Sequence, residues 1–153
     1  MSFEFVQDDG GRSAAGFKGR TGDCVARAIA IATGLDYREV YDELSRRQKE
    51  FSKGRSRKAK AARGKSSARE GVFREVYQSY LADLGWEWVA TMKIGSGCQV
   101  HLRPEELGEG RTGRIIARLS KHICAVVDGA IHDTYDPSRE GTRCVYGYFR
   151  EKE

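Results

Sequence analysis

Three side chains of this sequence could together break an amide bond: a cysteine, a histidine and an aspartate. Cys24 stands in TGDCVARAIAIATG, where a thiol precedes a run of small apolar residues. His122 and Asp133 stand much later, in KHICAVV and AIHDTY. Thiol-dependent hydrolases need a thiolate nucleophile, a histidine within hydrogen-bond reach and a third group that orients the histidine. The three residue types therefore predict a thiol nucleophile with its base and its orienting acid.

The segment around Cys24 is typical of a central helix. A helix from Cys24 to Thr33 would be apolar on every side except at Arg27, so we expect it to be packed inside the domain. The partial positive charge of a helix N-terminus stabilises a thiolate. Asp23 would oppose this effect unless its carboxylate caps the helix. A buried structural cysteine is the alternative explanation when Cys24 is considered alone.

A hairpin should bring the histidine and the acid together. Asp128-Gly129 lies between two apolar runs, which predicts a two-residue type I′ turn. The register of such a hairpin makes His122 and Asp133 diagonal neighbours on one face. Asp136 falls on the other face unless a bulge intervenes, so it is the alternative orienting acid.

The remaining elements are helices first and strands second. Asp36 predicts the start of a second helix through a capping pattern with Glu39, and a third helix should run from Phe73 to Leu84. Residues 1–20 lack an apolar period and predict an arm or loop. The β-rich runs are 114–119, 122–127, 130–135 and 144–149. This order predicts an α+β fold with an antiparallel sheet.

The order of these three residues resembles the papain-like cysteine peptidase superfamily. Cys24 heads the first buried helix, His122 opens a later strand and Asp133 lies on the partnering strand, as in its compact bacterial branches, such as bacteriocin-leader peptidases, and in transglutaminase-like domains. The resemblance covers residues 20–45 and 113–149. It implies one papain-like domain over residues 1–153, in which N-terminal helices, including a central nucleophile-bearing helix, pack on a C-terminal antiparallel sheet.

The resemblance also implies a function and a set of partners. It implies a peptide or protein substrate whose amide or isopeptide bond is cleaved by Cys24, His122 and Asp133, with no cofactor. Acyl transfer and deamidation by the same thiol stay open. Papain-like enzymes carry a glutamine shortly before the nucleophile, but the nearest one upstream here is Gln7. We therefore expect the Cys24 backbone N–H to supply part of the oxyanion hole.

The positive charge of the chain is concentrated in one segment. Residues 46–69 hold eleven Lys or Arg and a single acid, and they predict an extension of the second helix that becomes a mobile insertion loop. The alternative function is a non-catalytic papain-fold protein that binds nucleic acid or another polyanion through this segment by non-specific phosphate contacts. The residues expected to make those contacts are Arg55, Arg57, Lys58, Lys60 and Arg63.

Cysteine usage and hydropathy predict the compartment. Four widely spaced cysteines, Cys24, Cys98, Cys124 and Cys144, favour reduced thiols in the cytoplasm. The N-terminus lacks the pattern of a signal peptide, and no apolar run approaches the ~20 residues of a membrane span, so we expect no membrane contact. Zinc sites usually show paired cysteine knuckles, which the spacing here does not offer, so we expect no metal.

Overall fold

The chain folds as a mixed α+β structure, which confirms the predicted class. The computed structural model describes residues 2–18, 23–63, 71–93 and 95–152. The helices are α1 (Cys24–Thr33), α2 (Tyr37–Ser52), α3 (Arg57–Ala62) and α4 (Arg74–Asp83). The strands are β1 (Glu4–Gln7), β2 (Trp86–Ala90), β3 (Val100–His101), β4 (Arg114–Leu119), β5 (His122–Val127), β6 (Ala130–Asp133), β7 (Cys144–Val145) and β8 (Gly147–Glu151), with a 3₁₀ turn at Gly108–Gly110.

The main sheet has six strands in the order β1-β6-β5-β4-β8-β2. Its pairs are antiparallel except β1 with β6, which run parallel, and β3 pairs with β7 in a separate ribbon. The prediction of a purely antiparallel sheet is therefore wrong at its edge, and the prediction of an arm or loop for residues 1–20 is wrong at residues 4–7. Every residue of β1 is exposed, so its sequence lacks the alternation that marks a half-buried strand.

Both faces of the sheet are buried. One face packs against α1, α2 and α4 through a cluster that includes Ile29, Leu44, Leu81, Ile116 and Phe149. The opposite face is covered by Phe3, by the segment around Leu102 and Leu107, and by β7. Successive residues of β5 alternate between the two clusters, as the two-residue period of a strand requires.

Helix α1 has the predicted bounds and lies against β5. Gly34 ends it in the left-handed region (φ 76°), and its N–H donates to the carbonyl of Ala30 at 2.9 Å. The next helix begins as its capping pattern predicts, because the Asp36 carboxylate accepts a hydrogen bond from the Glu39 N–H at 3.3 Å. Local sequence signals therefore fix where Cys24 lies relative to the sheet.

The β5–β6 hairpin also has the predicted register. Asp128 (φ 47°) and Gly129 (φ 87°) are both left-handed, as a type I′ turn requires. Val126 pairs with Ile131, and Val127 with Ala130. The hairpin thereby sets His122 and Asp133 on the same side of the ribbon.

The basic segment is partly helical. Residues 46–52 belong to α2, and residues 57–62 form α3 rather than loop. Ser56 caps α3 by accepting from the Ala59 N–H at 3.0 Å, and Ala59 and Ala62 are buried. Residues 64–70 lie outside the described residues, so the loop prediction is not tested there.

The thiol chemistry differs from the expectation of four reduced cysteines. Cys98 and Cys144 form a disulfide with a Cα–Cα distance of 5.9 Å, whereas Cys24 and Cys124 are free. The pairing of His101 with Cys144 in the β3–β7 ribbon brings the two sulfurs together. Two-residue strands give no periodic signal, so the sequence could not indicate this proximity. Across the described ranges, no helix is long and apolar enough to cross a membrane.

We expect the disulfide to stabilise the fold. Cys144→Ser should lower the free energy of unfolding by about 2–4 kcal/mol, because a loop closed over 46 positions in the sequence is released in the unfolded chain. Urea denaturation without reductant measures the loss, and Cys24→Ser is the control that keeps the disulfide. A reductant should destabilise the wild type and leave Cys144→Ser unchanged. Equal wild-type curves with and without reductant would contradict the disulfide.

Candidate active site

The predicted base and orienting acid form a direct hydrogen bond. His122 Nε2 lies 2.6 Å from Asp133 Oδ2, and both side chains are at least 90% buried. Because Asp133 occupies Nε2, Nδ1 is the ring nitrogen that remains for a second partner. The ring of Tyr135 lies against the imidazole with centroids 5.2 Å apart. The hairpin thus holds the imidazole in one orientation, from a carboxylate on one side and an aromatic ring on the other.

Cys24 lines the same cleft as the histidine. Its thiol is free and half-buried at the first residue of α1. The first N–H groups of an α-helix have no acceptor within the helix. The thiol therefore stands beside both a histidine and a set of backbone donors.

The histidine favours its charged form. Burial lowers the pKa of His122, but hydrogen bonds to Asp133 and Cys24 and the charges of those two groups outweigh burial and raise it to about 9. At neutral pH the ring is then an imidazolium. The imidazolium lines the same cleft as the Cys24 sulfur, and a cation near a cysteine favours the thiolate, which is the nucleophilic form.

Asp23 does not cap α1, and its charge is compensated in another way. Its side chain makes no capping hydrogen bond and is fully buried. The carboxylate forms an ion pair with Arg27, accepts a hydrogen bond from the Tyr37 hydroxyl and lies 3.4 Å from Arg12 Nε. Burial and the Asp23 carboxylate both raise the pKa of Tyr37, so its hydroxyl stays a donor. Two guanidiniums thus offset the negative charge beside the thiol.

Arg27 connects the nucleophile helix to the orienting acid. One of its terminal nitrogens pairs with Asp23, and the other lies 3.5 Å from Asp133 Oδ1. The same Oδ1 accepts from the Thr134 N–H at 2.7 Å, so both carboxylate oxygens of Asp133 are engaged. The sequence shows a single arginine in an otherwise apolar helix. A buried arginine requires a buried anion, and that argument could have identified this link from the sequence.

A cleft of about 300 Å³ opens at the thiol. It is lined by Cys24 and His122, by the apolar side chains Val25, Val72, Leu119 and Ile123, by Gly71 and Tyr77, and by Arg74, Arg118 and Lys121. These three cations were not predicted from the sequence. They come from α4, β4 and the β4–β5 turn, so no spacing in the sequence connects them.

The alternative acid, the Cys98 sulfur and Gln7 make other contacts. Asp136 is exposed, and its carboxylate accepts from the Ser138 N–H at 3.0 Å. Cys98 is bonded to Cys144, with its sulfur 3.8 Å from His101 Nε2. Gln7 lies on β1 in register with Asp133, with an exposed side chain. In the part of the chain that the structure describes, no three His, Cys, Asp or Glu side chains converge as a metal site would require.

The basic segment offers fewer available charges than its composition suggests. Arg55, Arg57 and Lys60 are exposed. Lys58 pairs with Glu75 at 2.6 Å, and Arg63 donates to the carbonyls of Ser52 and Gly54. Contact between this segment and nucleic acid stays a prediction from the sequence.

Comparisons of the chain with protein-family models, with curated proteins and with solved structures found no match. The resemblance to papain-like peptidases therefore depends on the residues quoted from this sequence. Function has to be argued from the chemistry of the site, because a fold class by itself does not define an activity.

We expect Arg27 to be essential for stability. Arg27→Met should lower the free energy of unfolding by about 3–5 kcal/mol, because it removes the buried guanidinium that pairs with both Asp23 and Asp133. Urea denaturation measures the loss. Arg47→Met is the matched control, since Arg47 also contacts two carboxylates, Glu43 and Asp83, but at the surface. Equal losses in the two variants would contradict the central role of Arg27.

The histidine should make stability depend on pH. The pKa of His122 is raised from 6.5 to about 9 on folding, so its contribution is complete below about pH 6.5 and is lost as the pH rises through 9. The difference in unfolding free energy between wild type and His122→Gln should therefore fall by about 2–3 kcal/mol over that range. Asp133→Asn should remove most of this dependence. A difference that stays constant with pH would refute the assignment.

Proposed function

We propose that this protein is a papain-like thiol hydrolase that cleaves an amide bond of a peptide or protein, as a cysteine peptidase or isopeptidase. The observation that carries the proposal is the histidine whose Nε2 bonds to Asp133 and whose ring lines the same cleft as the free Cys24 thiol at a helix N-terminus. These three residues have the types that a nucleophile, a base and an orienting acid require. The order of the three residues along the chain, which resembles that of papain-like enzymes, supports the same conclusion.

The first half of the reaction forms an acyl-enzyme. The Cys24 thiolate attacks the amide carbonyl carbon, a carbon–sulfur bond forms, and the negative charge moves to the carbonyl oxygen. Backbone N–H groups at the start of α1, including that of Cys24, are the expected donors to this oxygen. The His122 imidazolium then gives its proton to the leaving nitrogen, the carbon–nitrogen bond breaks, and a thioester remains.

The second half of the reaction releases the carboxylic acid product. His122, now neutral, takes a proton from a water molecule that attacks the thioester, and the Cys24 thiolate and the imidazolium are restored. Asp133 holds the ring through Nε2 in both steps, so Nδ1 is the nitrogen that exchanges the proton. An amine or an alcohol in place of water would make the same site an acyl transferase, and a side-chain carboxamide as substrate would make it a deamidase.

The cytoplasmic location stays a prediction from the sequence. Disulfides such as Cys98–Cys144 are more common in oxidising compartments. The oxidation state of this pair, trapped by alkylation when cells are lysed, tests the prediction directly. A pair that is oxidised in the cell would favour another compartment.

Thiol labelling tests the proposed thiolate. At neutral pH, iodoacetamide should modify Cys24 at least tenfold faster than free cysteine, and His122→Ala should remove most of this advantage because the thiolate loses its cation. Peptide mass spectrometry assigns the modified residue. Cys124 is the internal control: it is 1% exposed, and burial raises the pKa of its thiol, so it should not react in the folded protein. Equal labelling of Cys24 and Cys124, unaffected by His122→Ala, would exclude the mechanism.

Hydrolysis is tested separately. The wild type and Cys24→Ala are incubated with a proteome-derived peptide mixture, and new N-termini are identified by mass spectrometry. Cleavages that require Cys24 would support the peptidase assignment, and Asp133→Asn should reduce kcat by at least tenfold, because the imidazole loses its orienting acid. Loss of ammonia without chain cleavage would assign deamidation instead.

A further inference from the structure

The charged side chains that line the cleft at Cys24 among the described residues are positive. Arg74, Arg118 and Lys121 line it, and no carboxylate is found among its described lining residues. The charges of Arg118, Arg74 and Cys24 all affect the pKa of one buried residue, Tyr77. Burial raises the pKa of Tyr77, the charges of both arginines lower it, and the charge of Cys24 raises it. The cations are therefore within electrostatic range of the nucleophile.

No carboxylate of the described residues forms an ion pair with these cations. Among the described residues no carboxylate lies within 4.0 Å of Arg74, Arg118 or Lys121, whereas Arg27 and Arg150 each contact two. Aromatic packing positions the two arginines instead. The Arg74 guanidinium lies 4.7 Å from the centre of the Trp88 ring, and Arg118 lies 5.7 Å from that of Tyr146. Such stacking fixes a guanidinium and leaves its charge in place.

The result is a positive field at the reacting centre. A cleft lined by charge of one sign, with low-dielectric walls, concentrates ligands of opposite charge. The imidazolium of His122 adds to this field at neutral pH. Leu119, Ile123 and Val72 supply the apolar walls.

We propose that the cleft selects a substrate that carries a carboxylate close to the scissile carbonyl, that is, an acidic peptide segment. This inference rests on the proposed function, because a thiol hydrolase requires an acyl carbon beside its nucleophile. Nucleic acid offers anions and no such carbon. Arginine binds carboxylates through two parallel hydrogen bonds, and Lys121 adds an exposed ammonium at the rim.

Two alkylating agents of similar size and different charge test the field. The ratio of the Cys24 rate constants for iodoacetate and iodoacetamide should be higher in the wild type than in Arg74→Gln and Lys121→Gln, by ~threefold or more per charge. Added salt should lower the wild-type ratio. Lys152→Gln is the matched control, because Lys152 is an exposed lysine that lines a different pocket of the structure, with Arg114 and Arg150. Its ratio should equal that of the wild type.

Protection from labelling tests the ligand class. A glutamate-containing peptide should slow the reaction of Cys24 with iodoacetamide at lower concentration than the same peptide with glutamine. The Arg74→Gln substitution should reduce this preference, and Arg118→Lys, which keeps the charge, should retain it. Stronger protection by a single-stranded oligodeoxynucleotide than by the acidic peptide would overturn the inference in favour of nucleic acid.

The two levels of the proposal fail in different ways. If iodoacetamide reacts with Cys24 no faster than with free cysteine, the thiol mechanism fails. If Cys24 is reactive and depends on His122, but the anionic-to-neutral ratio is the same in wild type, Arg74→Gln and Lys121→Gln, the substrate inference fails alone. Urea denaturation of each variant confirms that the compared proteins are folded.

Discussion

The buried guanidinium of Arg27 is the interaction on which the rest of this structure depends. It lies between Asp23, which precedes the thiol, and Asp133, which holds the histidine. Both carboxylates are nearly inaccessible to water, and removing the partner of a buried charge is strongly destabilising. The same contact fixes α1 against the end of β6. Arg27 therefore contributes both to charge compensation and to the geometry of the candidate site.

This network explains how an acid can stand next to the proposed nucleophile, Cys24. A bare carboxylate beside a thiolate would oppose its formation. Here the charge of Asp23 is directed into the protein, toward Arg27, Arg12 and the Tyr37 hydroxyl. The Cys24 thiol faces the imidazole of His122 and the cleft, where the surrounding charge is positive. The fold thus separates negative charge on one side of α1 from positive charge on the other.

The sequence predicts those parts of the site that local rules control. Gly34 and Asp36 mark helix ends because their backbone preferences and capping chemistry act over a few residues. The Asp128-Gly129 turn sets a register, and a register determines which side chains share a face. For that reason the contact between His122 and Asp133 could be predicted across eleven positions of the chain. Among long-range contacts, those that a local turn determines are the easiest to predict from the sequence.

The missed features depend on tertiary contacts that no local rule controls. β1 is an exposed edge strand whose pairing depends on β6, and the short β3–β7 ribbon has no periodicity to detect. The three cations of the cleft come from separate elements. The helix at residues 57–62 was missed for another reason. It forms where Ala59 and Ala62 become buried, and burial is not visible in a composition. Composition described the charge of residues 46–63 and could not describe this packing.

The Cys98–Cys144 disulfide and the free Cys24 thiol are stable under opposite redox conditions. A thiolate nucleophile at Cys24 requires reducing surroundings, because oxidation of the sulfur ends its reactivity. The cystine pair requires the reverse, and Cys98 is exposed to any small thiol in solution. A reductant strong enough to restore an oxidised Cys24 thiol also reduces the Cys98–Cys144 disulfide. A reduced Cys24 and an intact Cys98–Cys144 bond therefore coexist only within a limited range of ambient redox potential.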